Sequence, residues 1–476
     1  MDRSTDQMRC PDERALKAAT RIARRLGSSR VIDDRDVLES YAGDESHLIP
    51  VVPAAVVRAA SLEDVRVSLE VAHELEVPVT PRGAGTGKSG GAIPVRGGLV
   101  LALAELGEIR EIDRDDLVAV VQPGVITGRL HEAVEAEGLF YPPDPASLDT
   151  CFIGGNVAEN AGGPRAFKYG VTSHYVLGAE VVTPGGRVIR TGHRSVKGVA
   201  GYDLTSLLVG SEGTLGVFTE LTLRLVPRPQ AVRTLLALFP DGHAAGAAVS
   251  CMVQLGLVPR VIEFLDHESV DTLRDARSVP IPPEAGAVLI VEVDGDEDGL
   301  DAQAERVADA CQAQGSFEVL AAQTSIEARR IWAARRELSE LIGRRRQHKL
   351  SDDIAVPRSA VATMIDAATR IGERHDVLVV SYGHAGDGNL HVNVLWDGEG
   401  PERAETALRE IVEAAVAMGG TITGEHGVGA AKRHLLSIEQ SGDLIALQKR
   451  LKEIFDPRGI LNPGKVFPEL PPSSRW

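Results

Sequence analysis

The spacing of apolar residues predicts the order of strands and helices in the first half of the chain. Ser61 and Asp64 form a capping signal at the start of an amphipathic segment. Helices are predicted at 15–26, 61–76 and 129–137, and a long Gly-, Asn- and Pro-rich loop at 141–164. Strands are predicted at 56–60, 77–80, 99–103, 117–122, 179–183, 187–191 and 217–226.

The pattern changes after Pro227-Arg228-Pro229, which marks a natural boundary. Strands then alternate with helices in a way that predicts an antiparallel sheet with helices on one face. The predicted strands are 234–239, 260–265, 287–293, 317–322 and 377–382. The predicted helices are 242–255, 299–314, 325–346 and 359–374, of which 325–346 is mostly polar.

Length and charge limit the possible functions. A chain of 476 residues is too long for one ordinary core, so two domains are expected. The formal net charge of −17 disfavours binding to nucleic acid or to an anionic membrane surface. An anionic substrate would therefore need a local cluster of Arg, Lys or metal charge.

Targeting signals and disulfides are not indicated by the sequence. No run of 18 apolar residues and no signal-peptide pattern is visible, which predicts a cytoplasmic protein and allows peripheral contact with the inner membrane face. The four cysteines, Cys10, Cys151, Cys251 and Cys311, are far apart and form no CxxC pair. They are interpreted as buried thiols in a reducing compartment.

A glycine-rich loop follows the second predicted strand, with the sequence PRGAGTGKSGG at 81–91. Arg82 stands where a Walker phosphate loop requires glycine, and Gly90, Gly91 and Pro94 prevent the helix that a Rossmann fingerprint requires. The loop is therefore expected to remain a loop. Its backbone N–H groups could form a phosphate nest, although a flexible surface loop is an equal alternative from this segment alone.

Further small-residue segments favour the phosphate nest. They are YPPDPAS at 141–147, IGGNVAENAGG at 153–163, KYGVT at 168–172 and GSEGTLG at 210–216. So many small residues let the backbone approach a flat ligand closely.

Together these motifs resemble the FAD-binding domain of the vanillyl-alcohol-oxidase or p-cresol-methylhydroxylase (PCMH) type, over about residues 50–228. The resemblance implies that the loop at 81–87 binds the FAD pyrophosphate, and that the PPDPAS and GGNVAENAGG segments follow the isoalloxazine and ribityl regions. It implies FAD contacts by Pro81, Arg82, Gly83, Ala84, Gly85, Thr86, Gly87, Pro143, Asp144, Ser147, Gly154, Gly155, Asn156, Ala158, Asn160, Gly162, Gly163, Gly170, Thr172, Glu212, Gly213, Gly216, Val217 and Asn462.

The loop departs from that pattern at two places. Ala84 replaces a common third glycine, and Gly87-Lys88 replaces the usual Ser/Thr/Asn-Leu pair. Lys88 could lie near phosphate or point to solvent. The loop contains no histidine that could link a flavin covalently, so the FAD is expected to be non-covalent.

Histidines cluster in two glycine-framed segments of the second half, YGHAGDGNLHVN at 382–393 and TGEHGVG at 423–429. Gly386-Asp387-Gly388 predicts a tight turn, which would put His384 and His391 on opposite arms of a hairpin. Two histidines and one carboxylate are a common set of ligands for a divalent metal. From spacing alone, structural histidines remain the alternative.

These segments resemble the C-terminal domain of FAD-linked D-lactate, glycolate and D-2-hydroxyglutarate dehydrogenases. The resemblance implies a metal site at His384, His391 and Glu425, holding zinc or else manganese or iron. It also implies that Asn393 and His384 lie at the substrate and that His426 is the catalytic base.

Two more segments carry the same resemblance. IWAARRE at 331–337 matches a helix whose arginine binds the substrate carboxylate; Arg335 fits the register better, and adjacent Arg336 remains an alternative. Ser351 stands where the 2-hydroxyglutarate relatives have a substrate-binding lysine, which disfavours a long dicarboxylate. The closing segment FDPRGILNPGK at 455–465 implies that Asn462 returns to the flavin.

The resulting expectation is an α+β protein with four segments. They are an N-terminal helical segment (1–50), a PCMH-type two-subdomain FAD-binding domain (51–229), a ferredoxin-like substrate or cap domain with the metal (230–440) and a C-terminal segment packing on the first domain (441–476). The expected activity is oxidation of a small D-2-hydroxy acid, with electrons passed to a quinone, an electron-transfer flavoprotein or a similar acceptor. The expectation allows a homodimer. The alternatives are a flavin-binding subunit of a multi-subunit glycolate oxidase and an FAD enzyme of other chemistry, such as an ether-lipid synthase.

Overall fold

Two main sheets, one short two-stranded sheet and several helices form the first half of the chain. The structure is a computed structural model that describes residues 12–276 and 280–468, so Cys10 lies outside it. The strands are β1 (Val31–Ile32), β2 (Ala55–Arg58), β3 (Val79–Arg82), β4 (Leu99–Ala102), β5 (Ile109–Asp113), β6 (Val118–Val121), β7 (Leu139–Phe140), β8 (Val176–Thr183), β9 (Arg187–Gly192), β10 (Val217–Arg224) and β11 (Val226–Pro227). The helices are α1 (Glu13–Leu26), α2 (Arg35–Glu39), α3 (Leu62–Leu75), α4 (Thr127–Ala136), α5 (Ile153–Glu159), α6 (Ala166–Tyr169) and α7 (Leu204–Leu208).

The first sheet has the order β1-β2-β4-β3, and its last three strands are parallel. The crossover helix α3 begins where the capping signal predicted, since the Ser61 hydroxyl accepts from the Asp64 N–H at 3.2 Å. The Asp64 carboxylate in turn accepts from the Ala60 N–H at 2.8 Å. Because β3 ends at Arg82, the glycine-rich loop leaves the carboxyl end of this sheet. The second main sheet of this half is antiparallel, with the order β5-β6-β10-β8-β9.

The predicted loop at 141–164 is wrong in part, because Ile153–Glu159 form helix α5. Glycine has a poor helix propensity, so Gly154 and Gly155 pointed away from a helix. Tertiary packing prevails here. Ile153 and Val157 are fully buried in the core, and a Cβ on Gly154 would lie 2.4 Å from the Pro123 side chain.

The second half forms one seven-stranded sheet with the order β15-β12-β14-β13-β17-β18-β16 and antiparallel pairing throughout. Its strands are β12 (Ala231–Phe239), β13 (Val261–Leu265), β14 (Ala287–Gly295), β15 (Glu318–Ala321), β16 (His348–Ala355), β17 (Leu378–His384) and β18 (Asn389–Trp396). The helices are α8 (Gly242–Gln254), α9 (His267–Asp275), α10 (Leu300–Ala313), α11 (Ser325–Gly343), α12 (Val361–His375), α13 (Glu402–Ala417), α14 (Leu436–Glu439) and α15 (Gly442–Phe455). The expected α+β fold class is confirmed.

Helices cover both faces of this sheet, which corrects the expectation of one covered face. One core joins the sheet to α8, α10, α12 and α13. A separate core on the opposite face contains Ala334, Leu338 and Ile342 of α11. These three residues recur every fourth position, and that narrow stripe is enough to dock a helix that is otherwise polar. Consequently α11 brings Arg335 to the sheet.

The end of the chain returns to the first sheet. The Val79 N–H donates to the Ile460 carbonyl at 2.8 Å, and the Asn462 N–H donates to the Val79 carbonyl at 2.7 Å. The buried Asp456 carboxylate fixes this segment by accepting from the Ile460 and Leu461 N–H groups at 3.1 and 2.8 Å. Among the described helices, none has both the length and the apolar composition needed to cross a membrane.

Candidate active site between the two domains

The glycine-rich loop after β3 has backbone N–H groups that are available to a ligand. Within the described chain, none of the N–H groups of residues 83–91 donates to a protein acceptor. Several carbonyls of the same loop do have partners, including Gly87 with the Glu45 N–H and Ser89 with two N–H groups of the second domain. Backbone with free donors and engaged acceptors suits an anion such as a pyrophosphate.

The predicted flavin segments converge on this loop. A Cβ on Gly83 would lie 3.9 Å from the Gly155 Cα of helix α5, and one on Gly213 would lie 3.4 Å from the Pro81 side chain. The Asn462 side-chain NH₂ donates to the carbonyls of Gly91 and Glu212 at 3.1 and 2.7 Å. Motifs from four separate places in the sequence therefore share one region.

Several groups in this region fit an FAD. The Ser89 hydroxyl, the Ser211 hydroxyl and the Asn462 side-chain oxygen are buried without a hydrogen-bond partner. A Cβ on Gly155 would meet no described atom within 4 Å, so open space lies beside this glycine. Buried polar atoms normally have partners, and a nucleotide would supply them.

Some predicted flavin residues also have contacts within the protein. The Asn156 side chain donates to the Thr127 hydroxyl at 2.7 Å, and the Thr172 hydroxyl donates to the Ala161 carbonyl at 2.7 Å. A Cβ on Gly163 would lie 2.1 Å from the Asp144 carbonyl oxygen, and one on Gly216 would lie 2.3 Å from the Val181 side chain. These glycines are required by close packing within the first domain.

Charged residues at the loop also have protein partners. The Arg82 guanidinium donates to the Gly43 carbonyl at 2.6 Å. Lys88 is half-exposed and pairs with Glu45 at 2.9 Å. Asp144 pairs with Arg165 at 3.0 Å. These side chains therefore brace the loops through contacts within the protein.

The hairpin of β17 and β18 brings His384 and His391 together. Their ring centroids are 5.2 Å apart, and both rings approach one carboxylate oxygen of Glu425. The distances from that oxygen are 3.4 Å to His384 Nε2 and 3.6 Å to His391 Nε2. One ligand atom from each of the three residues lies within 4.8 Å of the others.

The electrostatics of the three residues are those of a buried site. Burial lowers the pKa of His391 to about 3, with the neighbouring His384 adding to the effect, so this ring is neutral. Burial alone would raise the pKa of Glu425, but His384 and His391 lower it to about 2. A neutral imidazole and an ionised carboxylate are the forms in which His391 and Glu425 ligate a metal. Burial alone would lower the pKa of His384, but Glu263 and Glu425 raise it well above its ordinary value, so this ring must lose a proton before it can be a ligand.

Two buried carboxylates that the sequence did not indicate hold the histidines in place. Glu263 on β13 contacts Nδ1 of His384 and accepts from the Arg335 Nε–H at 2.6 Å. Asp353 on β16 lies 3.2 Å from Nδ1 of His426 and accepts from the backbone N–H groups of Gly424 and Glu425. Glu263 interrupts an apolar run and Asp353 follows another aspartate, but only the pairing of distant strands shows what these residues contact.

Of the two candidate arginines, Arg335 faces the site and Arg336 is exposed to solvent. The Arg335 guanidinium carbon lies 4.5 Å above the Tyr382 ring, and that ring lies 5.4 Å from the His391 ring. Asn393 is buried on β18, where its side-chain oxygen accepts from the Ser351 hydroxyl at 2.8 Å. Arg335 therefore reaches the site from helix α11, and Asn393 lies two residues from His391 on β18.

The histidine cluster lies directly against the first domain. A Cβ on Gly162 would lie 3.0 Å from the Glu425 carboxylate, and one on Gly427 would lie 2.4 Å from the Glu159 carboxylate. The buried Glu212 carboxylate accepts from the Val428 and Gly429 N–H groups at 2.8 and 2.6 Å. The GGNVAENAGG segment and the TGEHGVG segment thus form two walls of one cleft.

Comparison with known families assigns a family to each part of the chain that forms a wall of the cleft. Residues 53–192 match the family of the FAD binding domain, and residues 228–466 match the family described as FAD linked oxidases, C-terminal domain. The chain belongs to the FAD-linked oxidases. It is a flavoprotein oxidoreductase, and the predicted resemblance is confirmed.

Curated relatives align with nearly the whole of this FAD-linked oxidase. It is 43% identical to the glycolate oxidase subunit GlcD of Bacillus subtilis over 430 residues, covering 90% of this chain and 92% of the relative. It is 34% identical to a D-lactate dehydrogenase of Anaerostipes hadrus, covering 94% and 96% of the two chains. It is 32% identical to a D-2-hydroxyglutarate dehydrogenase of Stutzerimonas stutzeri, covering 92% and 96%.

Solved structures share the fold at lower identity. A p-cresol methylhydroxylase with substrate bound superposes with a TM-score of 0.79 at 19% identity, covering 96% of this chain and 97% of the other. An alkyldihydroxyacetonephosphate synthase superposes with a TM-score of 0.74, also at 19% identity, covering 95% and 85%. These likenesses confirm the expected PCMH-type architecture.

The open space at Gly155 gives a test of where the flavin lies. Gly155→Leu should fold normally, because leucine favours a helix more than glycine does, but it should weaken FAD binding about tenfold or more. Absorbance at 450 nm relative to 280 nm measures the retained flavin. Gly442→Leu is the matched control, since Gly442 also has open space around it but lies at the exposed start of α15. Full flavin content in the Gly155→Leu protein would mean that the FAD does not bind beside residue 155.

Proposed function

We propose that this FAD-linked oxidase converts a small D-2-hydroxy acid, of the size of glycolate or D-lactate, into the 2-oxo acid. The observation that carries the proposal is the cleft in which the His384, His391 and Glu425 cluster lies against the glycine-rich FAD segments. The names of its relatives, which include a glycolate oxidase subunit and a D-lactate dehydrogenase, support the substrate class.

The proposed metal ligands are His384, His391 and Glu425. Donor atoms about 2.0–2.2 Å from one tetrahedral zinc stand about 3.3–3.6 Å apart. The separations of 3.4 and 3.6 Å between the Glu425 oxygen and the two imidazole nitrogens match that spacing. The His384 Nδ1–Glu263 contact supplies the carboxylate behind a ligating histidine that such sites commonly have. Zinc suits this ligand set, and so do manganese and iron.

The division of labour follows from the positions of the side chains. When bound, the non-covalent FAD supplies the hydride acceptor, and the metal supplies a Lewis acid that lowers the pKa of the substrate hydroxyl. Arg335 binds and orients the substrate carboxylate, since a guanidinium presents paired donors to a carboxylate. Asn393 and His384 border the same position.

His426 is the proposed general base. Its Nδ1 lies 3.2 Å from Asp353 Oδ1, so the ring donates there and keeps Nε2 free to accept the hydroxyl proton. Burial alone would raise the pKa of Asp353, but His426 and Lys432 hold it well below its ordinary value. The carboxylate therefore stays ionised and fixes the tautomer of the base.

A second candidate is the flavin-carrying subunit of a multi-subunit glycolate oxidase. The 43% identity to a relative named as such a subunit favours it. Both candidates pass electrons onward, to a quinone, an electron-transfer flavoprotein or a partner subunit. They differ in whether the isolated chain turns over with a soluble acceptor dye, so steady-state assays of the purified chain separate them.

Anaerobic mixing with hydroxy acids tests the substrate class. D-lactate or glycolate should bleach the 450 nm flavin band within the mixing time or over seconds, and L-lactate should bleach it far more slowly. D-2-hydroxyglutarate should be a poorer reductant, since Ser351 stands in place of a lysine. An oxidised flavin spectrum after mixing with all four acids would rule out the proposed oxidation.

Removal of the metal should stop turnover and leave the flavin bound. Dialysis against a chelator, or the substitution His391→Ala, should lower the rate by about 100-fold or more, because the hydroxyl loses its Lewis acid. His348→Ala is the control, since His348 is exposed and stacks on Trp396 at the far end of β16. Elemental analysis reports the metal and absorbance the flavin. Undiminished turnover in a metal-free preparation would contradict the metal's role.

Replacement of the base should affect turnover and spare both cofactors. His426→Ala should lower kcat by about 10²–10⁴-fold, the usual contribution of a positioned base. Flavin and metal content should equal those of the parent protein. His434→Ala, an exposed histidine eight positions away, should behave like the parent. A rate near normal in His426→Ala would mean that another group takes the proton.

A further inference from the structure

Glu263 occupies an unusual position for an ionised side chain. It lies on β13, near the middle of the seven-stranded sheet, with 1% of its side chain exposed. β13 pairs with β17 so that Glu263 is directly opposite His384. The carboxylate is shielded from solvent, so all of its hydrogen-bond partners are groups of the protein.

The two carboxylate oxygens of Glu263 serve two different groups. Oε1 contacts Nδ1 of His384, and Oε2 accepts from the Arg335 Nε–H at 2.6 Å. One carboxylate therefore bridges a proposed metal ligand and the proposed substrate-binding arginine.

We propose that Glu263 is a positioning residue that couples metal binding to substrate binding by orienting His384 and Arg335 with its two oxygens. The inference rests on the proposed function, and it adds a residue and a linkage that the motifs do not contain. Nδ1 of His384 is fixed by the carboxylate, so Nε2 points to Glu425 and the ion. Nε of Arg335 is fixed by the other oxygen, which leaves both terminal nitrogens for a substrate carboxylate.

The surroundings of Arg335 strengthen this assignment. The guanidinium lies above the Tyr382 ring, and only 12% of the Arg335 side chain is exposed. Glu263 holds one edge of the Arg335 guanidinium and Tyr382 packs against one face. The orientation of the guanidinium is therefore fixed before a substrate binds. Preorganised donors of this kind cost little reorganisation when the ligand binds.

The same sheet contains a matched residue without this bridge. Glu292 on the adjacent strand β14 is also buried, at 7% exposure. Its Oε1 accepts from the Trp332 Nε1–H at 2.7 Å and from the Thr234 hydroxyl at 2.8 Å. Trp332 belongs to the same helix as Arg335, so Glu292 braces α11 without contacting a ligand of the site.

Glu263→Gln and Glu292→Gln, compared in the full-length flavoprotein, test the proposal. Glutamine has one acceptor oxygen and one NH₂ group, so at position 263 it satisfies only one of the two donors. Zinc affinity is measured by competition with a chromophoric chelator, and KM and kcat are measured separately with D-lactate or glycolate. Glu263→Gln should weaken zinc binding about 10–100-fold and raise KM several-fold, with flavin content unchanged. Glu292→Gln should leave both constants at the parent values.

Glu263→Asp provides a second, gentler variant. It keeps the charge but is one methylene shorter, so it cannot contact both partners, and it should also weaken zinc binding and raise KM. Parental zinc affinity and KM in either flavin-replete Glu263 variant would overturn the proposal. Equal losses in the Glu292 control would also overturn it, because they would show a general effect of the buried sheet.

The parent protein separates failure of this inference from failure of the proposed function. If the parent binds zinc and oxidises a hydroxy acid, but the Glu263 variants match it, only the role of Glu263 is refuted. If the parent binds no divalent ion under the same conditions, both the metal site and the coupling through Glu263 are refuted.

Discussion

The docking of the TGEHGVG segment onto the first domain is the contact on which the site depends. Glu212, from the first domain, accepts N–H groups of Val428 and Gly429 in the second. A buried carboxylate that accepts two backbone N–H groups is expensive to disrupt, because it would be left unsatisfied. The hydrogen bonds fix the segment that carries Glu425 and His426. Without this contact, a metal cluster and a flavin cleft would exist as separate features.

Small residues make this docking possible. Gly162 and Gly427 lie where the two walls meet, and a Cβ on either would come within 3.0 Å of a carboxylate from a neighbouring segment. Glycine loses more conformational entropy on folding than other residues do, which is a cost to stability. At these positions, however, any larger side chain would force the walls apart. The high glycine content of both segments is thus a requirement of the junction as well as of the flavin.

The cleft contains positive groups although the protein as a whole has a negative net charge. The formal net charge is −17, but the proposed substrate side of the cleft contains Arg335 and the proposed ion. Buried carboxylates in this region are paired with positive side chains: Glu263 with Arg335, and Asp353 with Lys432. Such pairing is the condition under which buried ions are tolerated. Arg335 and the proposed ion are the positive groups that an anionic substrate would meet there.

The sequence by itself determined the local features: the glycine-rich loop that cannot become a helix, the capped helix after Ser61, and the Gly386-Asp387-Gly388 turn that puts His384 and His391 on the two arms of one hairpin. Only the tertiary structure decided that α5 is helical, that α11 covers a second face of the sheet, and that Glu263 and Asp353 hold the histidines. Glu263 and His384 are 121 positions apart in the sequence. Periodicity and turn signals act over a few residues, whereas strand pairing and core packing bring distant residues together, so no local pattern could reveal these partners.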